Sequence, residues 1–236
     1  MRLGKYAEMA LVYVVVVSVF LGAAWFGSRA VTVMAQREAA DQANVIVIDA
    51  GHGGEDGGAV SCTGVKEKEI NLEISLRLND LFQLLGHKTR MIRASDVSVH
   101  TTGSTISQRK ASDLKARVQM VEALNSPILL SIHQNLFPDA RYSGAQVFYG
   151  PAGEGQELAE SLQMALRDTV NPASHREIKK AEGIYLMEHV SCPAVLIECG
   201  FLSNPQEEAM LRDPEYQKNI SIVIAAQTAN FLDCQT

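Results

Sequence analysis

An α/β fold is what this sequence predicts: one domain built on a mostly parallel sheet of about six strands flanked by helices, preceded by an N-terminal hydrophobic segment. Short apolar runs alternate along the chain with stretches of helical periodicity, the pattern of strands joined by crossover helices. The apolar runs are too short for helices, and several are rich in Val and Ile. Of the 236 residues, 47% are hydrophobic and 20% charged, which supplies a full core and excludes a disordered chain.

Residues 45–49 read as the first strand. Ile70, Ile74, Leu78, Leu81 and Leu85 then fall on one helical face, with Gly86 where that helix stops. Residues 88–92 form a second strand and the Ser/Thr-rich stretch 94–107 a surface loop. Leu114, Val118, Val121 and Leu124 mark another helix. Strands follow at 128–133 and 145–149, a helix at 156–170, a short strand at 184–186 and a buried strand at 194–198. Two helices, 205–211 and 214–232, close the pattern.

Residues 9–27 carry no charge over 19 positions, with Arg2 and Lys5 ahead of them. That length approaches the ~20 residues needed to span hydrocarbon, and the basic residues send the C-terminal part of the chain out of the cytoplasm. The segment reads either as a retained membrane anchor or as a signal peptide cut after Val33-Met34-Ala35. Residues 1–35 are thus a targeting segment, 36–44 a short polar tether and 45–236 the exported domain. The residues after position 35 hold 18 basic and 26 acidic side chains, a net charge of −8. Nothing in that balance suits nucleic acid. Cys62, Cys192, Cys199 and Cys234 form no CxxC pair and are expected to be small buried hydrophobes.

Three of the strands run into unusual groups: residues 45–49 into Gly51-His52-Gly53-Gly54, residues 128–131 into His133, and residues 194–197 into Glu198. Ligand sites in open α/β sheets form beyond the carboxyl ends of the strands. If these strands are parallel neighbours, His52, His133 and Glu198 converge on one crevice. Glu67, on the loop leaving His52, joins the same rim. Two His and one carboxylate suffice for a Zn²⁺ site with an open position. Each residue also has a plainer reading: a structural His at a strand end, or a solvated charge within Lys66-Glu67-Lys68-Glu69. Glu198 resists that, since a carboxylate ending a buried strand needs a partner. His87, His100, His175 and His189 lie in polar or turn-like contexts and are expected to be exposed. The Gly-rich stretch 51–58 fails as a dinucleotide turn, because Asp56 holds the third Gly position and the next helix begins too late.

Taken together, Val47-Ile48-Asp49-Ala50-Gly51-His52-Gly53-Gly54, Lys66-Glu67-Lys68, Ser131-Ile132-His133-Gln134-Asn135 and Leu196-Ile197-Glu198-Cys199-Gly200-Phe201-Leu202-Ser203-Asn204 resemble the zinc-dependent N-acetylmuramoyl-L-alanine amidases of the type 3 family. The resemblance spans about residues 45–232. It implies a twisted sheet of about six strands, a peptidoglycan substrate, His52, Glu67 and His133 as Zn²⁺ ligands, and Glu198 as the catalytic carboxylate. Arg117 matches a family position and is expected to be structural. Ala50 stands where many members have Pro. Gln134 stands where many have Ala, beside the second His, and is a candidate substrate contact. Asn135 is a candidate for orienting His133, for meeting substrate, or for capping a loop. Targeting and compactness most resemble the small germination-specific amidases of the spore cortex. A zinc carboxypeptidase or endopeptidase of the stem peptide, or a non-catalytic wall-binding module, remain alternatives; only the last has no use for Glu198. An accessory protein is not readable from the residues.

Overall fold

β1 (Ile46–Ala50) is buried along its whole length, as an Ile-Val-Ile run must be when both faces of its sheet are covered. Five further strands complete the sheet: β2 (Thr89–Met91), β3 (Ile128–Asn135), β4 (Gln146–Tyr149), β5 (Lys179–Lys180) and β6 (Ala194–Phe201). The computed structural model describes Trp25, residues 45–61 and residues 63–234. The hydrophobic segment other than Trp25, the tether up to residue 44, and Cys62 lie outside the described residues. Among those described, no helix is long and apolar enough to cross a membrane.

The strand order is β2-β1-β3-β6-β4-β5. β2, β1, β3 and β6 are parallel; β4 pairs antiparallel with β6 and carries β5 parallel to itself. Alternation along the strands divides the core. Ile46, Ile48, Leu130, Ile132, Val195 and Ile197 pack towards α1 (Glu67–Leu84), α3 (Gly155–Thr169), α5 (Pro205–Leu211) and α6 (Pro214–Asp233). Val47, Leu129 and Leu196 pack the other way, towards α2 (Ile106–Glu122) and α4 (Tyr185–His189). On that second face the polar residues Asp49, Ser131, His133 and Glu198 continue the same alternation towards the strand ends.

The helices follow their apolar stripes with two shifts. α1 buries Ile70, Ile74, Leu78 and Phe82 completely or nearly so, while Leu81 is half-buried and Leu85 exposed at the C-cap, where Gly86 turns the chain at φ +85°. α2 starts at a capping box in which Thr105 accepts from Gln108 N.

Five of the six expected strands stand where the sequence puts them; the sixth does not. Residues 184–186 open the short helix α4, and the edge strand is Lys179–Lys180 instead. A three-residue apolar run has no period, and here burying Leu186 and Met187 together needs a helical turn. Cys192 and Cys199 are buried thiols, as expected, but Cys234 is exposed just beyond α6, where no core remains to cover it.

Candidate active site

The carboxyl ends of β1, β3 and β6 lie side by side, because these strands are parallel neighbours. His133 and Glu198 stand directly opposite each other in the register, and β1 delivers His52 two residues past its end. Glu67 is the first residue of α1 rather than a loop residue. From there its carboxylate bridges the two imidazoles: Oε2 lies 3.1 Å from His52 Nε2 and Oε1 2.9 Å from His133 Nδ1. Its neighbours in the charged run mislead, since Glu67 is only 4% exposed.

Ligand atoms of His52, Glu67 and His133 all lie within 4.8 Å of one another, a grouping that can hold a metal ion. Donors at ~2.1 Å from one tetrahedral ion are ~3.4 Å apart, so the scale fits. The surroundings are shaped for it as well. A Cβ on Gly51 would fall 2.2 Å from His133 Nε2, and one on Gly58 2.5 Å from Glu67 Oε2, so only glycine leaves these donors room. Among the described residues, none of the other four His joins the group. His175 and His189 are exposed as expected, whereas His87 and His100 are half-buried, His100 by a hydrogen-bond contact with Ser98.

The loop carrying His52 is held in an unfavourable conformation. His52 itself has φ +61°, in the left-handed region that costs a non-glycine residue. Two buried arginines secure it. Arg117 donates to His52 O at 2.7 Å and Ala50 O at 3.1 Å while ion-pairing with Asp49 and Asp113. Arg93 donates to Ala50 O, Gly51 O and Lys68 O at 2.8–3.0 Å. Arg117 is structural, as expected. Arg93 gave no sequence signal.

Asp56 is the second residue that sequence reasoning missed. Its Oδ2 lies 2.8 Å from His52 Nδ1, leaving Nε2 to face Glu67. Such a carboxylate fixes the tautomer and orientation of a metal-binding imidazole. Burial opposes the charge on His52, but the hydrogen bonds and charges of Asp56 and Glu67 prevail and raise its pKa to about 9 when no metal is present. The imidazoles in turn hold Glu67 far below the ordinary carboxylate range, against its burial.

Glu198 is half-buried, and its Oε2 is sealed from solvent with no hydrogen-bond partner among the described residues. Burial pushes its pKa up to about 7, opposed by His133 and helped by the charge of Glu67. Gln134 is not a substrate contact: it is 3% exposed, and its backbone N–H donates to Glu67 and its side chain to Asn71 on the α1 side of β3. Asn135 pairs with Phe201 past a bulge, and its carbonyl accepts from Leu202 N.

A family model described as N-acetylmuramoyl-L-alanine amidase matches residues 46–230. The chain belongs to that family. Among relatives of this amidase, the germination-specific N-acetylmuramoyl-L-alanine amidase of Bacillus subtilis (strain 168) is 40% identical over 179 residues, 75% of either chain. The CwlD amidase of Clostridioides difficile, solved in complex with the GerS lipoprotein, is similar at a TM-score of 0.78 and 36% identity, over 81% of this chain and 99% of that one. An N-acetylmuramoyl-L-alanine amidase from Clostridium difficile 630 gives 0.70 and 26%, over 83% and 100%. This protein is an N-acetylmuramoyl-L-alanine amidase, a hydrolase of peptidoglycan.

Proposed function

We propose that this amidase is a zinc enzyme in which His52, Glu67 and His133 hold one Zn²⁺ and Glu198 carries the proton. The observation behind this is the meeting of three donors within 4.8 Å beside a carboxylate whose Oε2 has no hydrogen-bond partner among the described residues. When bound, Zn²⁺ supplies Lewis acidity, polarising a carbonyl and making water a stronger acid.

Glu198 accepts a proton from water as the water oxygen bonds to the lactyl carbonyl carbon of N-acetylmuramic acid. The same carboxyl then protonates the alanine nitrogen as the C–N bond breaks. The products are a muramic acid with a free lactyl carboxylate and a peptide with a new L-alanine amino terminus. A single carboxyl that both takes and returns the proton acts as general base and then general acid, a role worth about 10²- to 10⁴-fold. Asp56 keeps His52 in place through Nδ1, and Arg93 and Arg117 hold the loop that presents it.

The reading extends to the whole chain. Residues 1–35 serve as signal peptide or membrane anchor, 36–44 as tether, and 45–236 as the catalytic domain outside the cytoplasmic membrane. The likeness to a germination-specific amidase supports action on spore-cortex peptidoglycan. That CwlD was solved with the GerS lipoprotein supports an accessory protein here too.

The test is Glu198→Gln, assayed on purified peptidoglycan with metal content measured alongside. Metal retained, turnover largely lost, and wild-type peptide products that begin at a new L-alanine amino terminus are expected. New D-alanine or diaminopimelate termini would instead identify a peptidase, and undiminished turnover would remove Glu198 from the mechanism.

A further inference from the structure

Glu198 has neighbours on both sides in the sheet. One is His133; the other is Gln146 of β4, opposite Glu198 in the antiparallel register. Residues directly opposed across paired strands point to the same face, with Cβ atoms about 5 Å apart. The polar row His133, Glu198, Gln146 therefore crosses three strands on one side of the sheet. Gln146 Oε1 then accepts from Arg176 Nη1 at 2.8 Å, which extends the row to an open groove of about 570 Å³.

Arg176 is built into that groove. Its Nε donates to Ser143 O at 2.7 Å, and its guanidinium lies 4.4 Å over the ring of Phe201 and 5.7 Å from that of Tyr142. Glu207, buried nearby, accepts from Phe201 N and Gly144 N, and its charge acts on Arg176. Nη2 of Arg176 donates to nothing among the described residues, so a rigid, partly desolvated cation keeps donors to spare. Burial pushes its pKa down, yet a guanidinium stays a cation at any working pH. Arg141, His175 and Lys179 also line the groove, with Glu177 as the acidic member; Arg141 is engaged by Asp139. With Arg141 matched by Asp139, and with Glu177 and buried Glu207 nearby, the groove is charge-balanced, and Arg176 is the cation whose guanidinium keeps an open side.

We propose that this groove is the subsite for the leaving stem peptide, and that Arg176 binds the free α-carboxylate of the residue following L-alanine. The inference rests on the amidase reading of the neighbouring site. The reach agrees: one strand spacing, the length of the Gln146 side chain and one hydrogen bond lie between the Glu198 position and the guanidinium, roughly 11 Å along that path. Two residues of extended peptide at about 3.3 Å each, a terminal carboxylate and its own hydrogen bond to the guanidinium cover about the same distance. Guanidinium pairs with carboxylate in a two-pronged geometry that lysine cannot copy. Arg176 is thus a specificity residue, outside the bond-breaking step.

Two substrates that differ by one charge test it: N-acetylmuramoyl-L-alanyl-D-glutamate and its α-amide, N-acetylmuramoyl-L-alanyl-D-isoglutamine. The metal-loaded wild type is expected to favour the acid by about 10- to 100-fold in kcat/KM. In Arg176→Gln that ratio should fall towards one, with Arg176→Lys between. Equal rates for both substrates in an active wild type, or an Arg176→Gln loss identical for both, would overturn the proposal. Binding of the dipeptides L-alanyl-D-glutamate and L-alanyl-D-isoglutamine, followed by NMR shifts, needs no turnover. Stronger binding of the acid, lost in Arg176→Gln, supports the groove; no discrimination there rejects it. A wild type that binds the acid dipeptide selectively yet cleaves neither substrate would defeat the amidase reading alone.

Discussion

Asp56 Oδ2 lies 2.8 Å from Nδ1 of His52, on the side of the ring away from Glu67. Removing that carboxylate frees the imidazole to rotate or to change tautomer without touching a ligand atom. Asp56→Ala is expected to weaken metal affinity by about 10- to 100-fold with the fold retained. Competition against a chelator of known affinity checks this; unchanged affinity would make the pair incidental.

Gly51 faces the ring of His133, and an added Cβ would meet all of its near side, with atoms at 2.2, 2.3 and 2.7 Å. Gly51→Ala is therefore expected to displace His133 and abolish metal binding, although the change is a single methyl. Metal content by elemental analysis decides it. A fully loaded Gly51→Ala protein would show that β1 and β3 can part enough to absorb the methyl.

The metal-free protein should reveal Glu198 through its stability. Its folded pKa of about 7 lies above the ordinary 4.5, so between those values the folded state keeps a proton that the unfolded chain releases. Stability from this group therefore declines as pH rises through 4.5 to 7, and the full penalty applies above 7. Glu198→Gln removes the penalty. Without metal, that variant should exceed wild type by on the order of 2 kcal/mol at pH 8, and match it near pH 4. Urea titrations at both values test the sign; a variant less stable at pH 8 would contradict it.

Arg117 is buried with two acidic partners and two backbone carbonyls. Asp49, although buried, is held below the ordinary carboxylate range by Arg117 and by Ser131. Arg117→Leu would leave Asp49 charged and unpaired in the core. A loss of about 3–5 kcal/mol in unfolding free energy is expected, with catalysis failing alongside. A loss below 1 kcal/mol would mean that Ser131 alone satisfies Asp49.

What could be read in the residues was whatever periodicity or strand ends encode. β1, β3 and β6 are continuous apolar runs, so their ends, and with them His52, His133 and Glu198, were visible. Glu67 was harder, because three charged neighbours give it the look of a solvated face, while the fold turns the first residue of α1 inward. Asp56 counted only against a phosphate ligand, since a carboxylate four residues from a His reveals its role only once the glycines fold the loop back. Arg93 reaches carbonyls 25 to 43 residues away, and nothing local signals such a bond. β5 is two exposed lysines whose strand character comes from the edge of β4 alone.

β6 is the last strand of the chain yet lies between β3 and β4 in the sheet. A chain that emerges N-terminus first must therefore deliver residues 194–201 before β3 gains its second partner and before β4 and β5 join the rest. Until then the long apolar edge of β3 stays open, a template for pairing with other chains. The nascent chain also carries its metal-binding groups well before the carboxylate opposite them. Any product truncated ahead of Ala194 is accordingly expected to be both inert towards peptidoglycan and prone to aggregate, so hydrolytic competence arrives in one late step, when the sheet is closed at its centre.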